Sequence, residues 1–139
     1  GPAGPALLSH WPGTVLTSYA SNTWVRIAFL DVATTGTYDL VGFCKIDQDD
    51  TFFPRTRLRI VESDYAADTN VMVLDQTIAD QYDQHNGTSI DKMIGCTIAF
   101  GNRNIASAKR FSLWVQRYDT DVSGTIYYAR PYLQAFKTS

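Results

Sequence analysis

Residues 23–32 read TWVRIAFLDV. Successive side chains of an extended chain point to opposite sides, so Val25, Ile27 and Phe29 fall on one face of a strand. Trp24, Arg26 and Ala28 fall on the other. The same period of two recurs downstream. In GTYDLVGFCKI (36–46), Tyr38, Leu40, Cys44 and Ile46 share a face. In RTRLRIVES (55–63), Leu58 and Ile60 point inward while Arg55, Arg57 and Arg59 form an outward ladder. In KRFSLWVQRY (109–118), Phe111, Leu113 and Val115 take the core side, and Ser112, Trp114, Gln116 and Tyr118 take the other.

TVLTSY (14–19), VMVLDQT (71–77), KMIGCTIAF (92–100) and GTIYYARPYLQAF (124–136) complete a set of eight strands. Only IADQYDQ (78–84) offers a helical turn or two. The turn-rich DTDVSG (119–124) predicts a hairpin between the last two strands. Eight half-apolar strands with almost no helix predict an all-β chain, a two-sheet antiparallel sandwich in jelly-roll form. Composition agrees: thirteen of the fourteen acids are Asp, which favours turns, and only Glu62 is Glu, which favours helix.

At 139 residues the chain is long enough for one domain with a core of its own. A net charge of −2 with scattered bases argues against nucleic acid as a partner. No apolar run reaches the length of a membrane helix, so no membrane insertion is expected. Cys44 and Cys96 each lie in an apolar run, as small buried hydrophobes do, and a disulfide between them stays open.

No phosphate-binding glycine loop and no nucleophile elbow is present, and neither His10 nor His85 has a partner at ligand spacing. No cofactor, metal or catalytic residue is therefore assigned. Asp119–Gly124 copies the first half of a calcium loop, but its twelfth position is Arg130 where a bidentate Glu is needed, so it reads as a turn. Asp47, Asp49 and Asp50 would supply the acid and base of a polysaccharide hydrolase, or else are solvated loop residues.

Two features point to binding. An outward face carrying Trp114, Gln116 and Tyr118 suits a sugar: ring C–H groups stack on the indole and hydroxyls meet the polar groups. The same Trp114 would equally well pack under a loop or into a subunit contact. Arg57 and Arg59, with Arg55, could clamp an anionic sugar or phosphate, or else form a solvated strand face or salt bridges to Asp residues of a neighbouring strand or subunit.

Residues 1–6, GPAGPA, are two triplets in the collagen register, where Gly at every third place is required at the triple-helix axis. They read as the end of a stalk, or as a remnant of cloning, with residues 7–139 as a single sandwich head. Such a stalk entering an all-β domain resembles the C-terminal heads of collagen-stalked trimers, both C1q/TNF-like heads and the receptor-binding tips of bacteriophage tail fibres. Gly36-Thr37-Tyr38-Asp39-Leu40 is similar to the G-x-Y-x-F strand of C1q-like heads, with Leu40 where that family has Phe. GTIYYARPYLQAF is similar to the closing strand of phage fibre and carbohydrate-binding modules. The resemblance implies a homotrimer on a virion tail fibre or in the extracellular space. It implies a non-catalytic adhesin that takes cell-surface glycan; a purely structural fibre or capsid-decoration domain is the alternative.

Overall fold

A computed structural model describes residues 7–10, 17–18, 24–48, 55–66, 77–84, 92–117 and 126–139. In chain order the strands are β1 (Leu7–His10), β2 (Thr17–Ser18), β3 (Trp24–Val32), β4 (Gly36–Gln48) and β5 (Arg55–Asp64). They continue with β6 (Thr77–Gln84), β7 (Lys92–Ile105), β8 (Lys109–Arg117) and β9 (Ile126–Lys137). Among the described residues every regular element is a strand, and every pairing is antiparallel.

One sheet runs β1-β9-β4-β7, with β2 pairing further along the same β9; the other runs β3-β8-β5-β6. The chain crosses from sheet to sheet at almost every step, and among the described residues only β5 and β6 are consecutive neighbours. That is the jelly roll, so the expected fold class is the one observed. The expected hairpin between the last two strands is not formed: β8 and β9 belong to different sheets. Turn-rich composition marks a reversal but does not say which sheet the chain returns to. Residues 78–84 are strand rather than helical turn. As the edge partner of β5, β6 needs no apolar alternation, and polar residues on an edge discourage further pairing.

The core lies between the sheets. Tyr38, Leu40 and Cys44 from β4, Leu58 and Ile60 from β5, Phe111, Leu113 and Val115 from β8, and Leu133 and Ala135 from β9 are buried there. Those of β4, β5 and β8 are the inward faces read from alternation. Strand β3 departs from it. A bulge between Arg26 and Ala28 leaves Ile27 without a partner in β8 and resets the phase, so Ala28, Leu30 and Val32 point inward. Phe29 is turned outward, where the guanidinium carbons of Arg26 and Arg110 lie 4.7 and 4.3 Å from its ring centre.

The sheets approach closely at Gly42, where an added Cβ would stand 2.7 Å from Leu113 Cδ1 and 2.9 Å from Ile98 Cγ2. A second bulge, in β7, places Asn102 at φ 59°, and its N–H donates to Asp39 Oδ1 at 2.9 Å. At one end an ion pair ties the sheets together: Arg103 donates to both oxygens of Glu62, at 2.9 and 2.6 Å. Cys44 and Cys96 face each other across β4 and β7, both buried and both free thiols. Residues 1–6, Asp49, Asp50, Tyr118 and the 119–124 turn lie outside the described residues, as do 14–16 and 71–76 of two expected strands.

Candidate functional site

The outer face of the β3-β8-β5-β6 sheet gathers Trp114, Gln116, Arg57 and Arg59, four of the residues picked out as binders. Register alone does this. Trp24, Gln116 and Arg57 stand side by side on β3, β8 and β5. One rung along come Arg26, Trp114, Arg59 and Asp80. Directly opposite residues share a face in an antiparallel sheet, so outward alternation in three strands builds one surface. Tyr118 lies outside the described residues.

Trp114 occupies the expected face but is not presented to solvent. It is 2% exposed, and its indole Nε1 donates to Ser112 Oγ at 2.9 Å. Ser112 Oγ in turn donates to the Val61 carbonyl at 3.4 Å. The physical reason is position: β8 is a central strand, and the cross-strand neighbours of Trp114 are Arg26 and Arg59, whose long aliphatic stems flank an indole in this register. Trp114 is therefore a floor, not a stacking surface, and its expected exposure is corrected.

The tryptophan of this face that reaches the surface is Trp24, which is half-buried. The guanidinium carbon of Arg59 lies 4.5 Å from its ring centre and that of Arg57 5.8 Å, within cation–π range. The arginine ladder takes the salt-bridged form. Arg57 Nε donates to Asp80 Oδ1 at 2.8 Å and its terminal nitrogen bonds Oδ2 as well, a bidentate fork, while Arg59 reaches the same Oδ2 at 3.3 Å. The hydrogen bond from Arg57 holds the Asp80 carboxyl below its ordinary range, and the bond and charge of Arg59 add to this against partial burial. Further along the same face Arg110 forks onto Asp31 at 2.8 and 2.9 Å, and Asp31 also accepts from the Ala66 N–H.

The result is an indole edged by planar polar groups that already hold one another in place. Such a surface can stack a ring and exchange hydrogen bonds with hydroxyls. None of these groups is arranged as a nucleophile with a base. Trp24 is the residue that sequence reasoning passed over as a binder. Its signal was present, a tryptophan on the non-core side of the first clear strand, but nothing in one strand shows which neighbours it meets.

No known family profile matches the chain, and no curated protein does. Solved structures share its fold. A chain of infectious bursal disease virus, Gx strain, is 8% identical over 96% of this chain, with a TM-score of 0.60. Eiger TNF from S. frugiperda is 11% identical with a TM-score of 0.58, covering 96% of this chain and 93% of that one. The VP2 subviral particle of infectious bursal disease virus gives 10% identity over 96% of this chain and a TM-score of 0.57. This chain spans 32 and 33% of the two viral chains. The likeness at these identities is one of fold.

Proposed function

We propose that this chain is a non-catalytic jelly-roll head, displayed on a virion or in the extracellular space as a homotrimer, that recognises cell-surface carbohydrate. The observation that carries the glycan reading is the half-exposed Trp24 beside Arg57, Arg59, Asp80 and Gln116 on one outer face. A saccharide needs an apolar plane for its C–H face and fixed polar groups for its hydroxyls, and groups tied to one another lose little freedom on binding. Trp114 contributes beneath this surface, by supporting it.

Display and assembly are supported by fold likeness to chains of a virus and of a subviral particle and to a TNF. A fibre tip of the phage type adds the GPAGPA leader, since a collagen triplet has meaning only with three chains. Three weak sites on one support gain avidity through effective concentration.

The test is a glycan array and binding to intact cells, with light scattering on the same samples. Wild type is expected at the mass of three chains with a reproducible glycan hit, and Trp24→Ala, still folded and trimeric, loses that hit at least tenfold. Unchanged binding by Trp24→Ala removes this face as the site. No hit for wild type leaves the domain with an assembly role alone, and the mass of one chain at micromolar concentration removes the trimer.

A further inference from the structure

On the opposite side of the sandwich, strand β9 breaks its ladder with β4. Phe43 pairs with Tyr132 and Lys45 with Ala129, so Arg130 and Pro131 together face Cys44 alone. Proline has no N–H to give the ladder, and a bulge is where a strand accommodates it. Arg130 takes φ 50°, a left-handed conformation rare for a side chain of its size, while Pro131 is buried beneath. The bulge aims the exposed Arg130 onto the outer face of the sheet, next to Phe43, Lys45 and Tyr132. Those four residues line an open cavity of about 310 Å³, near the lower end of the size of small-ligand sites.

The chemistry of the lining is one-sided. Two cations and two aromatic rings meet there with no acid among them. Among the described residues, the ion pairs involve Arg57, Arg59, Arg103, Lys109 and Arg110, and neither Lys45 nor Arg130. In a chain of net charge −2, two cations that share a cavity with no counter-charge among its described lining residues repel each other, and an anion would relieve them. The aromatic walls are fixed. The Phe43 ring lies over Gly95, where an added Cβ would stand 3.2 Å from Cε2, and Tyr132 Oη donates to Gln134 Oε1 at 2.6 Å.

We infer that this cavity is a second binding site, for an acidic saccharide whose carboxylate or sulfate is held by Lys45 and Arg130 while its ring packs against Phe43 and Tyr132. It shares no residue with the Trp24 face. The two can therefore fail separately.

Calorimetric titration of the intact chain at low ionic strength tests it, in wild type and in Trp24→Ala, where the first face is disabled and this cavity alone reports, with a sulfated disaccharide, a carboxylated disaccharide, a neutral disaccharide and inorganic sulfate as probes. At least one acidic disaccharide is expected to bind, with affinity falling as salt is raised, and the neutral one is not. Lys45→Gln and Arg130→Gln should each weaken binding at least tenfold, Phe43→Ala should weaken the sugar more than sulfate, and Lys109→Gln, a cation outside both faces, should leave it unchanged. Should Arg130→Gln fail to fold, Lys45→Gln and the salt dependence of wild type decide alone. The assignment is overturned by no binding of either acidic sugar at millimolar concentration, by equal affinity for neutral and acidic sugars, or by equal affinity for inorganic sulfate and the sugar. Full affinity in Lys45→Gln also overturns it.

Discussion

Gly42 and Leu113 mark a close approach of the two sheets, and a double-mutant cycle on this pair measures how tightly the sandwich is closed. Gly42 has ordinary strand backbone, so alanine is tolerated by the main chain. Its methyl would stand 2.7 and 3.3 Å from the two Leu113 δ-carbons and 2.9 Å from Ile98 Cγ2, against an ordinary carbon contact of about 3.5–4.0 Å. Overpacking of this kind costs about 1–3 kcal/mol, and the entropy removed from the unfolded chain by Gly→Ala returns about 0.4–1 kcal/mol. Gly42→Ala should then destabilise by about 1–2 kcal/mol. Leu113 is fully buried, so Leu113→Ala should cost about 2–5 kcal/mol through lost transfer energy and the cavity it leaves. In the double mutant the new methyl enters space that the leucine vacated. The combined loss should fall at least about 1 kcal/mol short of the sum, the size of coupling seen for residues in contact. Urea unfolding of all four proteins at one fixed protein concentration, with unchanged m-values, provides the measurement. Additivity within about 0.5 kcal/mol would refute the claim that these two positions compete for one volume.

Asp31 and Asp80 are held below their ordinary range, Asp31 first by its hydrogen bond from Arg110 and Asp80 first by that from Arg57. The unfolded chain therefore takes up protons first, at about pH 4, and the stability these carboxylates supply above that pH is lost as pH falls through their folded-state values. Unfolding followed from pH 7 to pH 2 should show a shallower acid loss in Asp31→Asn than in wild type, and parallel curves would count against the pair. Cys44 and Cys96 are 0 and 1% exposed, so a thiol reagent should modify neither in the native chain and both in denaturant; rapid native labelling would contradict their burial. Asn102 sits at φ 59° with its N–H on Asp39, so Asn102→Gly should be close to neutral in thermal unfolding and Asn102→Val should cost about 1–3 kcal/mol. Equal effects of the two would deny the left-handed bulge.

The inward residues of β4, β5 and β8 could be read directly from alternation, because burial on one face imposes a period of two wherever a strand runs unbroken. Alternation fails where the ladder is broken, and here that happens at informative places. Ile27 inserts one residue into β3 and turns Phe29 from core to surface; Arg130 and Pro131 insert into β9 and build a cavity wall. The YARPY run at residues 128–132 held the only hint of the second case, a proline inside a strand pattern. Burial on the outer face was not legible at all. Alternation places Trp114 correctly on the side away from the core, but its exposure depends on what stands beside it, and its neighbours come from residues 26 and 59. A period of two describes one strand; a binding face is a property of four. The same register that sets Trp114 between Arg26 and Arg59 leaves Trp24, one rung away, half-exposed at the surface. For that reason the saccharide-binding proposal passes from the central strand to the edge of the sheet, where an indole has a neighbour on one side only.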